Sequence, residues 1–494
     1  MEGTVSIPVW LAMIMALLAS WALLDRLLIP SVRWALRRRA NRAIDELNTR
    51  LSLQIRPFKL TRRQVLIDQL LYDPAVLDAV ELHAKESGMP REAAMDLAKR
   101  YAREIVPSFS AYFYFGIGTR LARRLSQLLY RVRIGYRNDA ALRNISPDAS
   151  VVFVINHRSN MDYVMVTYVA ATASALSYAV GEWAQVWPLR GLIRSMGAYF
   201  IRRNSRDGLY RKVLGRYVHR ATQAGVVQGV FPEGGLSLDG ALRKPKLGLI
   251  SYMVSDFDPH GKKDIVFIPV GVNYDRVLED RLLTQAGERS RSGGRSGFRV
   301  SGRKLLGFIA NSIGLMLRGR WYRYGYACVS FGEPLSLREH LSKRQADLRT
   351  LGEEARENEI ALLGTRLMKR LERTVPALPV SLVSHVFLND PDRVMTGFEL
   401  KGRVQALIQR LESEGSYVHI PRHDREYAVE VGLRMLVLRH LIIKEHEQYR
   451  INPAEKTLLS YYANAIPDFA AEPKPAVDVE PMATIDEELA VIPG

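Results

Sequence analysis

From residue 151 onward, short apolar β-branched runs alternate with stretches of helical spacing, and this alternation constrains the fold more than any other feature of the chain. The runs cover residues 151–155, 176–180, 198–201, 226–231, 265–270 and 327–331. Strands that alternate with helices imply an α/β layer: a largely parallel sheet flanked by helices. Ligands in such sheets bind just beyond the carboxyl ends of the strands. The residues that follow each run are therefore the ones to inspect for chemistry.

The flanks of this layer read differently. Residues 5–24 carry no charge and include Trp10 and Trp21 near their ends, while Arg26, Arg33, Arg37, Arg38, Arg39 and Arg42 follow. About twenty apolar residues of helix match the thickness of a bilayer's hydrocarbon core. The arginines on one side alone predict a single N-terminal span in the cell (inner) membrane, with the rest of the chain on the cytoplasmic side. The expected organisation is a transmembrane anchor over residues 1–30, a helical region over 31–135, the α/β domain over 136–340, and a C-terminal helical region over 341–465. The last segment, 466–494, has seven acidic residues against one lysine, and its composition predicts disorder. Gly88-Met89-Pro90 marks a break between helices in the first helical region. Further along, Phe109, Tyr112, Phe113, Tyr114 and Phe115 precede Arg120, Arg123 and Arg124. That mixture suits a membrane interface or the mouth of an apolar groove, and equally a buried helix with a solvated basic face. Residues 281–304 read as a long cationic Gly/Ser/Arg loop suited to lipid headgroups.

Lys and Arg total 70 against 52 Asp and Glu, a formal charge of +18. Such an excess attracts polyanions: nucleic acid, an anionic membrane face or phosphorylated small molecules. No recognised nucleic-acid motif holds the arginines, so no nucleic-acid partner is expected. The single Cys328 excludes an internal disulfide and a multi-cysteine metal site.

Asn156-His157-Arg158-Ser159-Asn160-Met161-Asp162 follows the first run. An Asp five residues after a His, across a strand-to-helix turn, can set the imidazole's tautomer and stabilise the imidazolium formed when it takes a proton from a hydroxyl. The spacing alone decides little. With 10 His and 23 Asp, roughly half a match is expected by chance, and three occur: His157/Asp162, His385/Asp390 and His419/Asp424. The company of His157 distinguishes it. Gly197 to Arg203 places Arg202 and Arg203 at a strand end, where guanidinium forks suit a phosphate. Phe231-Pro232-Glu233-Gly234-Gly235 ends another strand in a turn whose glycines allow close backbone approach, with Glu233 able to hold a hydroxyl. Ile268-Pro269-Val270 closes a further strand.

This order of blocks resembles the glycerolipid acyltransferase superfamily, in the branch of glycerol-3-phosphate and dihydroxyacetone-phosphate acyltransferases. His157 to Tyr163 resembles its first motif, Gly197 to Arg203 its second, Phe231 to Gly235 its third and Ile268 to Val270 its fourth, while Val329 to Pro334 is similar to a following strand. The resemblance spans about residues 140–340. It implies a glycerol-3-phosphate acyltransferase-like fold and transfer of a fatty acyl group from acyl-CoA or acyl carrier protein to the sn-1 hydroxyl of glycerol 3-phosphate. His157 would be the general base and Asp162 its orienting partner. Arg158, Ser159, Arg202, Arg203, Glu233, Gly234, Gly235 and Lys246 would bind substrate. No metal and no cofactor beyond the acyl donor is implied, and the partners would be membrane lipids, the donor and a glycerol-phosphate acceptor. One departure stands out: the third motif usually continues Gly-Gly-Arg-Ser-Arg, but here Leu236 and Leu238 occupy the arginine positions. Arg243, Lys244 and Lys246 follow closely, and a lysophosphatidate acceptor becomes an alternative. A non-catalytic basic membrane-surface protein is the rival of another class.

Overall fold

The computed structural model describes residues 55–467 except 171–173, 182–188, 203–204 and 293–323, together with 8–10, 13, 15–17 and 53. The chain divides into two compact units, residues 1–54 and 55–494. Among the described residues no helix is long and apolar enough to cross a membrane. The span expected over 5–24 lies mostly outside the described residues, as do Arg203, the latter half of the 281–304 segment and the acidic tail from 468.

The second unit is built on an eight-stranded sheet. Its strands are β1 (Arg131–Arg137), β2 (Ser150–Ile155), β3 (Ser177–Gly181), β4 (Tyr199–Ile201), β5 (Gln228–Val230), β6 (Ile265–Tyr274), β7 (Tyr326–Phe331) and β8 (Leu335–Ser336). The order is β1-β7-β6-β2-β5-β3-β4, with β8 also against β6. The strands from β6 through β2, β5 and β3 to β4 are parallel. The β7 strand runs antiparallel to β6 and parallel to β1. The sheet is thus largely parallel with a reversed pair at one edge, and helices flank it. One continuous core joins Val152, Val154 and Phe267 of the sheet to Ile67, Val76, Ala98 and Ile105 of the N-terminal helices and to Val213 and Val218 of the helix Gly208–Gln223.

Local chemistry explains the elements. Pro74 opens the helix Pro74–Ser87, Asp73 caps it through the Ala75 N–H, and Gly88 closes it in the left-handed conformation (φ 64°). Pro269 lies inside β6, where a missing donor is normally costly. Its carbonyl accepts from Gly332, just after β7 ends at the Val270–Phe331 pair and before β8 begins at Phe267–Leu335. A strand residue's N–H points the same way as its C=O, so the absent donor faces the gap between β7 and β8.

The strands depart from the sequence reading in three places. Residues 131–135, placed in the helical region, belong to β1; Val132 and Ile134 alternate inward between arginines, and that short pattern is easily taken for a basic helix face. Residues 281–291, read as the start of a loop, lie in the helix Asp280–Arg291, with Asp280 in its first turn. In the C-terminal region, Met395–Thr396, Ile442–Glu445 and Gln448–Ile451 make a small antiparallel sheet among the helices.

The helix Glu353–Thr374 ends against β6 so closely that a Cβ on Gly271 would overlap the Thr374 carbonyl. Gly271→Ala is therefore expected to destabilise by about 1–3 kcal/mol, read as a lower thermal midpoint. An unchanged midpoint would mean the helix end does not sit against the strand.

Candidate active site

His157 lies two residues beyond β2, and Asp162 is the second residue of the helix Met161–Ala170. The chain turns between them so tightly that the carboxylate folds back onto the turn. Asp162 Oδ2 lies 2.9 Å from His157 Nδ1 and accepts the backbone N–H groups of Arg158 (2.7 Å) and Ser159 (2.9 Å). Its other oxygen accepts the Tyr274 hydroxyl at 2.7 Å. The carboxylate at a helix start meets aligned N–H dipoles as well as these donors. With Nδ1–H donating to Asp162, the imidazole presents its Nε2 lone pair, and that atom is buried with no hydrogen-bond partner among the described residues. Burial and the negative charge of Asp162 push the Tyr274 hydroxyl well above its ordinary range, so it stays a donor.

The backbone of His157 is held on both sides by the segment after β5. Its N–H donates to Glu233 Oε1 at 2.7 Å and its carbonyl accepts from Ser237 N at 2.8 Å. The second Glu233 oxygen accepts the Arg243 N–H at 3.1 Å. Both carboxylate oxygens of Glu233, expected to seat an acceptor hydroxyl, thus engage the protein's own backbone. Burial raises the Glu233 carboxyl to about 7. The Asn156 side chain exchanges two hydrogen bonds with Val272, at 2.9 and 2.7 Å, which extends the β2–β6 pairing one step past the end of β2. The ring of His157 packs against Phe231 (4.5 Å between centroids) and Tyr163 (5.3 Å).

Other residues expected to touch substrate also meet protein groups. The Arg158 guanidinium is buried, donates to the carbonyls of Gly240 (3.0 Å) and Tyr461 (3.2 Å), and stacks over the Tyr461 ring at 5.0 Å. Ser159 donates to Glu279 Oε2 at 2.8 Å, and Asn160 donates to the other oxygen of Glu279. Arg202 forks onto Glu104 at 2.6 and 3.0 Å and lies over the rings of Tyr101 and Tyr210. The hydrogen bond to Glu104 holds its guanidinium charge firmly, raising it from its ordinary value. Gly234 adopts a positive φ (66°) with the Lys246 stem where a Cβ would lie, and buried Gly235 follows. Lys246 itself, with Arg243 and Lys244, is exposed. A cavity of about 210 Å³ opens beside the turn, lined by Asn156, Arg158, Glu233 and Ser237 on one side and by Glu372 and Ile466 on the other.

In the His419/Asp424 spacing the two residues have separate uses. Asp424 caps the helix Arg425–Leu438 through the Tyr427 N–H, and His419 is buried against the Tyr326 ring, where desolvation lowers it to about 3.

Two family models match the chain. The family model described as Acyltransferase matches residues 137–273, and the one described as Glycerol-3-phosphate acyltransferase C-terminal region matches 312–473. These matches and the relatives below support the glycerolipid acyltransferase superfamily, in its glycerol-3-phosphate acyltransferase branch. Among its relatives is the glycerol-3-phosphate acyltransferase of Xanthomonas axonopodis pv. citri, 26% identical over 428 residues, covering 82% of this chain and 46% of that protein. That of Ectopseudomonas mendocina is 28% identical over 341 residues, covering 67% of this chain and 39% of that protein. The chain thus spans about half the length of the curated relatives it matches. The crystal structure of a 1-acyl-sn-glycerophosphate acyltransferase from Thermotoga maritima aligns over 52% of this chain and 78% of that one, with 16% identity and a TM-score of 0.29, too loosely to add to the topology above. The sequence reading missed three residues that shape the His157–Asp162 pair: Tyr274, Glu279 and the clamp from Asn156. The alternation of Val270, Val272 and Tyr274 was the available signal, since it carries β6 past the end of β2.

The native Glu233 binds its proton more tightly than an unfolded glutamate, so its contribution to stability is full below about 4.5 and is lost as pH climbs through about 7. Melting measured from pH 5 to pH 8 should show a decline in wild type that is shallower in Glu233→Gln. Parallel profiles would contradict a buried carboxyl at this position.

Proposed function

We propose that this chain transfers a fatty acyl group from an acyl-CoA or acyl carrier protein thioester to the sn-1 hydroxyl of glycerol 3-phosphate, as an early step of phospholipid synthesis. The names of its relatives support the acceptor, and the observation that carries the reading is the His157–Asp162 pair with Nε2 left open. Nε2 takes the hydroxyl proton while the oxygen attacks the thioester carbonyl. The tetrahedral intermediate collapses with cleavage of the C–S bond, and the imidazolium returns its proton to the thiolate. Asp162 stabilises the transient imidazolium, and Tyr274 and two backbone N–H groups keep the carboxylate in line. The acyl donor supplies the reacting carbonyl; the chain's own residues move one proton out and back.

The work would take place at the cytoplasmic face of the cell membrane, reached through the apolar run over residues 5–24. A second reading has its own observation. Leu236 is buried and Leu238 half-buried where the family's third motif carries arginines, so the acceptor phosphate must meet other cations, of which Arg243, Lys244 and Lys246 are exposed nearby. A more lipophilic acceptor such as lysophosphatidate fits that substitution.

Membranes carrying wild type or His157→Ala, supplied with labelled acyl-CoA and either acceptor, separate the possibilities. Wild type should acylate glycerol 3-phosphate faster than lysophosphatidate, and His157→Ala should lose about a hundred- to ten-thousand-fold of that rate. Preference for lysophosphatidate would exchange the two readings. Equal product from both proteins would leave only a binding role.

A further inference from the structure

The helix Thr119–Leu129 has three faces. Ala122, Ser126 and Leu129 are buried, and the helix packs along Met161–Ala170, the helix whose second residue is Asp162. Around from the buried face, Leu121, Leu125 and Leu128 continue a line from Ile117, each 36–48% exposed, and Tyr112 is 84% exposed just before it. Beside this ridge Arg120 and Arg124 are exposed. Between residues 105 and 138 there are six arginines and no Asp or Glu.

Single exposed leucines are ordinary on a soluble surface, but a row of four large apolar side chains along one helix is not. The side chains of the row are wholly apolar, with cations on its flank. A protein partner would ordinarily offer, and demand, polar contacts at such a rim. A bilayer asks only for apolar side chains below the headgroups and cations level with anionic phosphates. From Ile117 to Leu128 the ridge extends about 16 Å, long enough to lie in the interface plane and too short to span it.

We propose that this face of the 119–129 helix docks on an anionic lipid surface. The inference builds on the acyltransfer reading above and names the surface that would meet the bilayer. The docked helix sits directly on the helix that carries Asp162, so the catalytic turn is held close to the lipid that supplies or receives acyl chains.

Cys328 is the sole cysteine and is buried, so Leu125→Cys adds a single accessible thiol to the full chain. The variant is labelled with a polarity-sensitive fluorophore and reconstituted into vesicles of phosphatidylcholine alone or mixed with phosphatidylglycerol. The expected result is a blue-shifted emission, quenched by spin-labelled acyl chains, stronger in the anionic vesicles. The same label at Leu438→Cys, also exposed, should stay red-shifted and unquenched. An unquenched label at position 125 while the chain floats with the vesicles would overturn the docking face. A label already shielded before lipid is added would do the same, because the ridge would then be covered by protein. Acyl transfer by the unlabelled chain is read separately: an active chain with an unquenched label loses only the docking face, and a quenched label without acyl transfer loses only the reaction.

Discussion

The carboxylate of Asp162 is where the architecture converges. It accepts from an imidazole, two backbone N–H groups and a tyrosine hydroxyl, and each donor arrives from a different structural decision. The two N–H groups exist because β2 ends in a tight turn into a helix. The hydroxyl arrives because β6 continues four residues beyond the level where β2 stops. A buried carboxylate is tolerable only with its lone pairs satisfied, and here the same bonds that satisfy it aim His157. Orientation of the imidazole and stability of the turn are one set of interactions.

That turn is supported from both matched family regions. Glu233 and Ser237, after β5, clamp the backbone of His157 from within the acyltransferase region. Arg158 reaches the C-terminal region, where it stacks on Tyr461 and donates to its carbonyl, and the Tyr461 hydroxyl returns a hydrogen bond to the Arg158 carbonyl. The closeness is strict: Gly240 sits at φ 86° with the Tyr461 carbonyl where a side chain would begin. Arginine suits this place because a planar fork can serve two carbonyls and an aromatic face at once, which lysine cannot. The helix Lys456–Ala463 is thereby part of the support of the turn that carries His157.

Much of this was legible in sequence, for identifiable reasons. The strand runs are apolar and bounded by turns, so the sheet and the placement of His157 at a strand end follow from period and punctuation. The His157–Asp162 pairing follows from spacing once its neighbours are taken into account. Roles of charged residues were less legible. Arg158, Arg202 and Glu233 read as ligands for substrate because their sequence neighbours are glycines and strand ends. Their partners Tyr461, Glu104 and the Arg243 N–H are brought in by tertiary packing, and only Arg243 is near in sequence. Tyr274 was hidden behind Pro269, which looks like a strand terminator until the gap between β7 and β8 excuses its missing donor. The strand β1 was hidden by its arginines.

The central claim is that Asp162 acts only through His157. A double-mutant cycle in acyl transfer tests it most directly, with Asp162→Asn, His157→Ala and the pair compared by kcat/KM at several pH values. The account predicts that both single variants lose most of the rate and that the double variant is no worse than His157→Ala. Additive losses, or an Asp162→Asn protein that keeps wild-type kcat/KM, would contradict it.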